Sequence, residues 1–181
     1  MRKQMDTAKV TMGCSMVVLT ILLVSLFPAT VSAQQRPTAV FDFELVDTSR
    51  QDRLAPPSAE HQARLALISG QLRERLAESD RFVIMDVAPV NAEAHANNLQ
   101  YCGGCDVRLA GQIGADLAVT GVVYKVSNLI LNMIIFVRDV KTGGIVTIAQ
   151  ADMRGDTDVT WTRTLDWLVR NRLLAGQSTR P

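Results

Sequence analysis

Leu117-Ala118-Val119-Thr120-Gly121-Val122-Val123-Tyr124 is a mostly apolar run rich in strand-forming residues, and Ser127-Asn128 behind it offers a turn. The run from Leu129 to Val140 is hydrophobic through Phe136, and Asp139-Val140-Lys141-Thr142-Gly143-Gly144 then supplies hairpin chemistry, because its glycines accept positive φ. A strand from Ile145 to about Met153 would return antiparallel. Three consecutive strands joined by short turns predict an antiparallel meander. A closing helix from about Asp158 to Leu174 would carry Trp161, Leu165, Leu168 and Val169 as its inward stripe.

Upstream the pattern differs. Phe41, Phe43 and Leu45 alternate with Asp42 and Glu44, the period of a strand over Ala39–Leu45. A polar loop closed by Pro56-Pro57 leads to Ser58, a helix cap, and to a helix reaching about Glu78 with Leu65, Ile68, Leu72 and Leu76 on one face and Arg64, Arg73, Glu74 and Arg75 in water. Phe82–Met85 reads as a buried strand stopped near Pro89, residues 91–99 as weakly helical at best, and Val107, Leu109, Ala110 and Ile113 as one side of a short helix ending at Gly114. The expected fold class is α/β (α+β): a mixed sheet with a β-α-β crossover, then the three-stranded meander and a C-terminal helix.

The first 33 residues have the order of a signal peptide: Arg2, Lys3 and Lys9, an apolar run from Met16 to Phe27, then Pro28 and the small residues to Ala33. That run falls short of the roughly 20 residues a membrane-spanning helix needs, so cleavage after Ala33 and export to the periplasm are expected, with no stable membrane anchor afterwards. Cys14 precedes the apolar core and leaves with the leader. The expected mature chain is a disordered lead at 34–38, one domain at 39–175 and a disordered tail at 176–181. Cleavage removes three of the 19 basic and one of the 18 acidic residues, turning a formal charge of +1 into −1. A near-neutral balance gives no support for a nucleic-acid partner.

Two cysteines then remain, Cys102 and Cys105, in Cys102-Gly103-Gly104-Cys105. In an exported chain they read first as a structural disulfide, and as an exchanging thiol pair in the alternative, since a helix amino terminus lowers a thiol pKa. A thioredoxin-type pair would directly follow a strand, whereas the polar stretch Asn91–Gln100 intervenes here. Covalent haem attachment would need His where Asp106 stands. Zinc could draw on His95, Cys102, Cys105 and Asp106, but the deaminase signature would want Glu at Asn97 and Pro at Tyr101. No metal and no cofactor are expected.

Catalytic constellations are sparse. His61 and His95 are the only histidines, no Gly-x-Ser-x-Gly elbow is present, and neither a dinucleotide fingerprint nor a phosphate-binding Gly-Lys-Ser/Thr loop occurs. Asp42 and Glu44, two apart on one strand, would share a face, which a solvated strand explains as readily as paired acid/base carboxylates. No catalytic residue is therefore assigned. Candidate partner-surface residues are Leu129, Leu131, Met133 and Ile135, on a strand apolar on both faces, and Trp167; a central strand covered on both faces is the other reading of that run.

Gly114-Ala115-Asp116-Leu117 through Gly121, followed by Val137-Arg138-Asp139-Val140-Lys141-Thr142-Gly143, resembles the layout of the TolB amino-terminal domain and of the periplasmic part of CsgG, over roughly residues 38–174. Phe41–Leu45, the Cys-Gly-Gly-Cys-Asp segment, Lys125–Asn132 and Asp166–Asn171 resemble an uncharacterised family of secreted bacterial proteins. The wider resemblance implies a non-enzymatic binding or assembly role in the bacterial envelope, with an envelope protein as partner and homo-oligomerisation as a further option. A periplasmic thiol-disulfide redox protein using Cys102 and Cys105 is the alternative. A β-propeller of the kind that follows this domain in TolB is not expected here.

Overall fold

The computed structural model describes residues 35–50, 53 and 55–175; the expected leader with its cleavage site, Cys14 and the expected tail at 176–181 fall outside them. In chain order the elements are β1 (Arg36–Val40), β2 (Glu44–Asp47), α1 (Ala59–Ala77), β3 (Phe82–Met85), α2 (Ala88–Ala96), α3 (Cys105–Gln112), β4 (Leu117–Lys125), β5 (Leu131–Asp139), β6 (Ile145–Met153) and α4 (Asp158–Leu168), which continues as a π-helical turn, Val169–Leu173. One mixed sheet has the order β3-β1-β4-β5-β6, with β2 also on β4. β1 pairs parallel with β3, and β1 and β2 each pair parallel with β4, while β4, β5 and β6 form the antiparallel meander.

Helices cover the sheet on both faces. On one, Leu117, Val119, Leu131, Met133 and Ile135 pack with Ile68 and Leu72 of α1 and Trp161 and Leu165 of α4. On the other, Ala39, Phe41 and Ala118 pack with Val90 and Ala94 of α2 and Leu109 and Ala110 of α3. Each large apolar side chain so enclosed contributes about 1.5 to 3 kcal/mol of burial. The second layer leaves the outer face of the meander thinly covered: Ile134 and Phe136 are half-buried, and Ile145 and Ile148 are exposed.

Several expectations require correction. The strand expected over Ala39–Leu45 is two strands, because the ladder passes from β1 to β2 across Phe41–Phe43, where the Phe43 N–H leaves the sheet for Ser69 Oγ at 2.9 Å. Asp42 and Glu44 therefore do not share one strand face. The expected disordered lead is largely β1: Arg36 N–H donates to Arg81 O at 3.0 Å, and the Pro37 carbonyl accepts from Asp116 at 2.7 Å. Proline and polar neighbours hid a strand whose partners are remote in sequence. Ala88–Ala96 is a helix, with Pro89 in its first turn, where a missing N–H costs nothing. Leu129 and Ile130 belong to the turn before β5.

Arg64, read as solvated, is 7% exposed. Its Nη1 donates to Asp156 Oδ1 at 3.0 Å, which also accepts Trp161 Nε1 at 3.1 Å, while Asp156 Oδ2 takes Lys125 Nζ at 2.8 Å and lies 2.8 Å from His61 Nε2. The amino termini of α1 and α4 and the end of β4 thus meet on one carboxylate. The Asp156, Lys125 and Arg64 side chains are each 9% exposed. Burial raises the Asp156 pKa, but the bonds from Lys125 and His61 outweigh it and hold the carboxyl below its ordinary value. At the other end of the sheet, buried Asp106 accepts from Arg138 Nη1 at 2.9 Å, and Arg138 Nη2 reaches Gly143 O at 2.8 Å, so α3 is pinned to the β5–β6 hairpin.

Two tests follow. A Cβ on Gly121 would overlap the Phe43 ring, so Gly121→Ala should lower unfolding free energy by about 1 to 3 kcal/mol, read as a lower urea midpoint with unchanged slope. Asp156→Asn strands two buried cations and should cost on the order of 3 kcal/mol at neutral pH. A depressed folded-state pKa contributes fully above the unfolded value of about 4 and is lost as pH falls from there through the folded value. The gap between the native chain and Asp156→Asn in pH-dependent unfolding should accordingly close below about pH 4.

Candidate binding cleft

At the break between β1 and β2 the sheet opens into a cleft of about 550 Å³ between α1 and the α2–α3 segment. Its walls are largely apolar: Phe43, Leu45, Leu65 and Ala66 on the α1 side, Ala94 and Leu99 on the other. The polar groups that converge on it are Asp42, Glu44, Arg73 and His95.

Each of these has an internal partner. Asp42 Oδ1 accepts Arg73 Nη2 at 2.6 Å, and Asp42 Oδ2 lies 2.9 Å from His95 Nε2. Arg73 Nε also donates to Val40 O at 3.1 Å, fastening α1 to the end of β1. Glu44 Oε1 accepts the Leu99 N–H at 2.7 Å, and Oε2 the Gln100 N–H at 3.3 Å. Burial raises the Asp42 pKa, but the bonds from Arg73 and His95 reverse this, and its carboxyl sits below the ordinary value. Burial dominates at Glu44 and raises its pKa, although the Leu99 and Gln100 amides oppose that. Beside Glu44, burial and the bond to Tyr101 push the Tyr124 phenol up to about 12. The two carboxylates act as struts that hold α2 and the following loop against the sheet.

Sequence reasoning missed the constellation because Asp42 is separated by 31 residues from Arg73 and by 53 from His95. The available signal was the acidic alternation at Asp42 and Glu44. A second grouping, Ser58–His61–Asp156, has the residue types of a hydrolytic triad: Ser58 Oγ lies 3.0 Å from His61 Nδ1. Ser58 Oγ, however, accepts the His61 N–H at 3.2 Å as the cap of α1, and Asp156 is shared with Lys125 and Arg64. Its geometry is that of a helix terminus bound into an ion network.

Cys102 and Cys105 are joined by a disulfide. Gly103 and Gly104 lie at φ +70° and +107°, the left-handed region that glycine enters without strain, and Gly104 caps α3. Cys102 is half-buried and Cys105 buried. His95, considered with them as a zinc ligand, turns instead to Asp42.

The five candidate partner-surface residues separate. Leu131, Met133 and Ile135 are at most 1% exposed beneath α1 and α4, so the strand's inner face is core and these three do not form an accessible surface. Leu129 is 72% exposed in its turn. Trp167 is 42% exposed, with the Arg172 guanidinium over its ring at 5.4 Å. The Gly-Ala-Asp and Asp-x-x-Thr-Gly motifs hold backbone in place: Gly114 takes φ +74°, Asp116 pairs with Pro37, and Asp139 Oδ1 accepts the Thr142 N–H at 3.0 Å.

Among solved structures, the chain is similar to the LpoB C-terminal domain from Salmonella enterica at 14% identity, covering 70% of this chain and 87% of that one with a TM-score of 0.49. It is similar to lipoprotein GNA1162 from Neisseria meningitidis at 15% identity, 80% and 99% coverage and a TM-score of 0.46. It is also similar to TolB from Acinetobacter baumannii at 11% identity, 78% and 29% coverage and a TM-score of 0.43. No curated protein matches the sequence. Residues 36–173, from the first strand to the end of the π-helical turn, match a family profile throughout, and the chain belongs to that family, DUF3280, described as a protein of unknown function (DUF2380).

Proposed function

We propose that this chain is an exported, non-enzymatic binding or assembly module of the bacterial envelope, delivered to the periplasm by cleavage after Ala33, and that the cleft beside β2 receives its partner. The observation carrying this reading is the cleft itself: concave, apolar-walled and lined by a few polar groups that already bond within the chain. Such a surface is built to hold a shape. The amino-terminal pattern and the TolB- and CsgG-like motif layout support export and an envelope setting.

Ala66 lies on the exposed side of α1 at the mouth of the cleft, whereas Ala63 is exposed on the same helix outside it. A photo-crosslinking residue placed at position 66 in cells should give an adduct with another envelope protein, and the same residue at position 63 should not. Adducts absent at 66 but present on the outer face of β6, at Ile148, would move the partner away from the cleft and overturn the reading.

The thiol-exchange reading retains one observation in its favour: Cys102 Sγ accepts the Cys105 N–H at 3.2 Å at the amino terminus of α3, a setting that favours a thiolate. A reduction potential below about −300 mV is expected for a structural bond, and one between about −230 and −120 mV would favour exchange. Because the closed loop spans so few residues, Cys102→Ser with Cys105→Ser should cost only about 2 kcal/mol. It should raise amide exchange in the first turn of α3 and leave the position-66 adduct in place.

A further inference from the structure

We propose that the cleft takes an extended segment of a partner protein as an added strand against β2, which rests on the binding role above and names its occupant. β3 pairs with β1 from Arg36↔Phe82 to Ala39↔Met85, and the chain then leaves the sheet to begin α2 at Ala88. Beside β2, where a prolonged β3 would stand, the sheet has no strand among the described residues, and the cleft occupies that position. Neighbouring strands lie about 4.8 Å apart, which is the distance from β2 at which an added strand would run.

The main chain of β2 is arranged for such an addition. In a parallel ladder successive residues turn their N–H and C=O alternately toward and away from the partner. Thr48 N–H donates to Lys125 O at 2.8 Å, which sets residues 44, 46 and 48 toward β4 and residues 43, 45 and 47 away from it. Of the amides facing away, Phe43 N–H is met by Ser69 Oγ at 2.9 Å and Asp47 N–H by Arg53 O at 3.2 Å. Between them Leu45 lines the cleft, and among the described residues its N–H meets no acceptor on that side. An extended chain entering the cleft would meet that amide with a carbonyl and pair through main-chain bonds. Alternate side chains of the added strand then fall toward Leu65 and Ala66 on one wall and Leu99 on the other.

Charge narrows the occupant further. Asp42 and Glu44 stand at the cleft against one guanidinium, Arg73, with His95 beside them. The segment that fits alternates apolar residues and carries a basic side chain toward this end.

A phage-displayed library of random short peptides, panned over the purified protein, should enrich sequences of that pattern. Ala66→Trp, which fills the mouth from an exposed position, should weaken an enriched peptide by about tenfold or more, and Ala63→Trp should leave its affinity unchanged. Binding should slow hydrogen exchange at the Leu45 amide by about tenfold, with less change at Phe43, whose N–H is already bonded. Failure to enrich any peptide, an affinity indifferent to Ala66→Trp, or an unaltered Leu45 amide would each overturn strand addition. If position 66 still crosslinks to an envelope protein in that case, the binding role stands and only the mode of recognition falls.

Discussion

The architecture depends on one buried carboxylate. Asp156 lies between β6 and α4, and it is where the crossover helix α1, the end of the central strand β4 and the closing helix α4 are brought to a common point through His61, Arg64, Lys125 and Trp161. Each cation in that group would be costly to bury alone, and the shared anion makes their burial tolerable. The helical layer over Met133 and Ile135 consequently has a fixed register on the sheet. Apolar packing alone would hold α1 and α4 against the sheet with far less positional specificity, since burial is nondirectional.

The cleft follows from a second constraint, the early end of β3: it pairs with β1 only as far as Met85, while β2 goes on pairing with β4, so the side of β2 away from β4 is left without a strand among the described residues. Between β1 and β2 the ladder on β4 shifts by one residue, Phe43 places its ring over Gly121 where only a glycine leaves room, and Ser69 takes the freed amide. Arg73 then spans the break from α1 to Val40 O and Asp42. Three of the residues at the irregularity, Asp42, Phe43 and Arg73, also line the cleft.

Much of this fold was legible because its signals are local. The meander announces itself through runs of strand formers separated by Ser127-Asn128 and Gly143-Gly144, and α1 through a cap and a clean apolar stripe. The failures were equally physical. Pro37 hid β1 because the partners of that strand, β3 and β4, are distant in sequence. Arg64 read as solvated because the helix pattern cannot reveal an anion 92 residues away. The inner residues of β5 were offered as a surface because an apolar strand gives no indication of which face a helix will cover. At the cleft, Asp42 and Glu44 were visible as an acidic alternation, but their partners Arg73, His95 and the Leu99 and Gln100 amides were not, since nothing local encodes a contact made by tertiary folding.

Cys102-Gly103-Gly104-Cys105 finds its place in relation to that cleft. The wall opposite α1 consists of α2 and the loop after it, a segment with short helices and few buried anchors of its own. Glu44 fixes it at Leu99 and Gln100, Asp42 fixes it at His95, and immediately downstream the disulfide closes the turn that starts α3, which Asp106 and Arg138 bind to the hairpin. A wall held at successive points loses little conformational entropy when something docks against it, so affinity is not spent on ordering the protein. The disulfide therefore matters to the cleft as preorganisation: it sits outside the binding surface, yet it limits how far the wall can open.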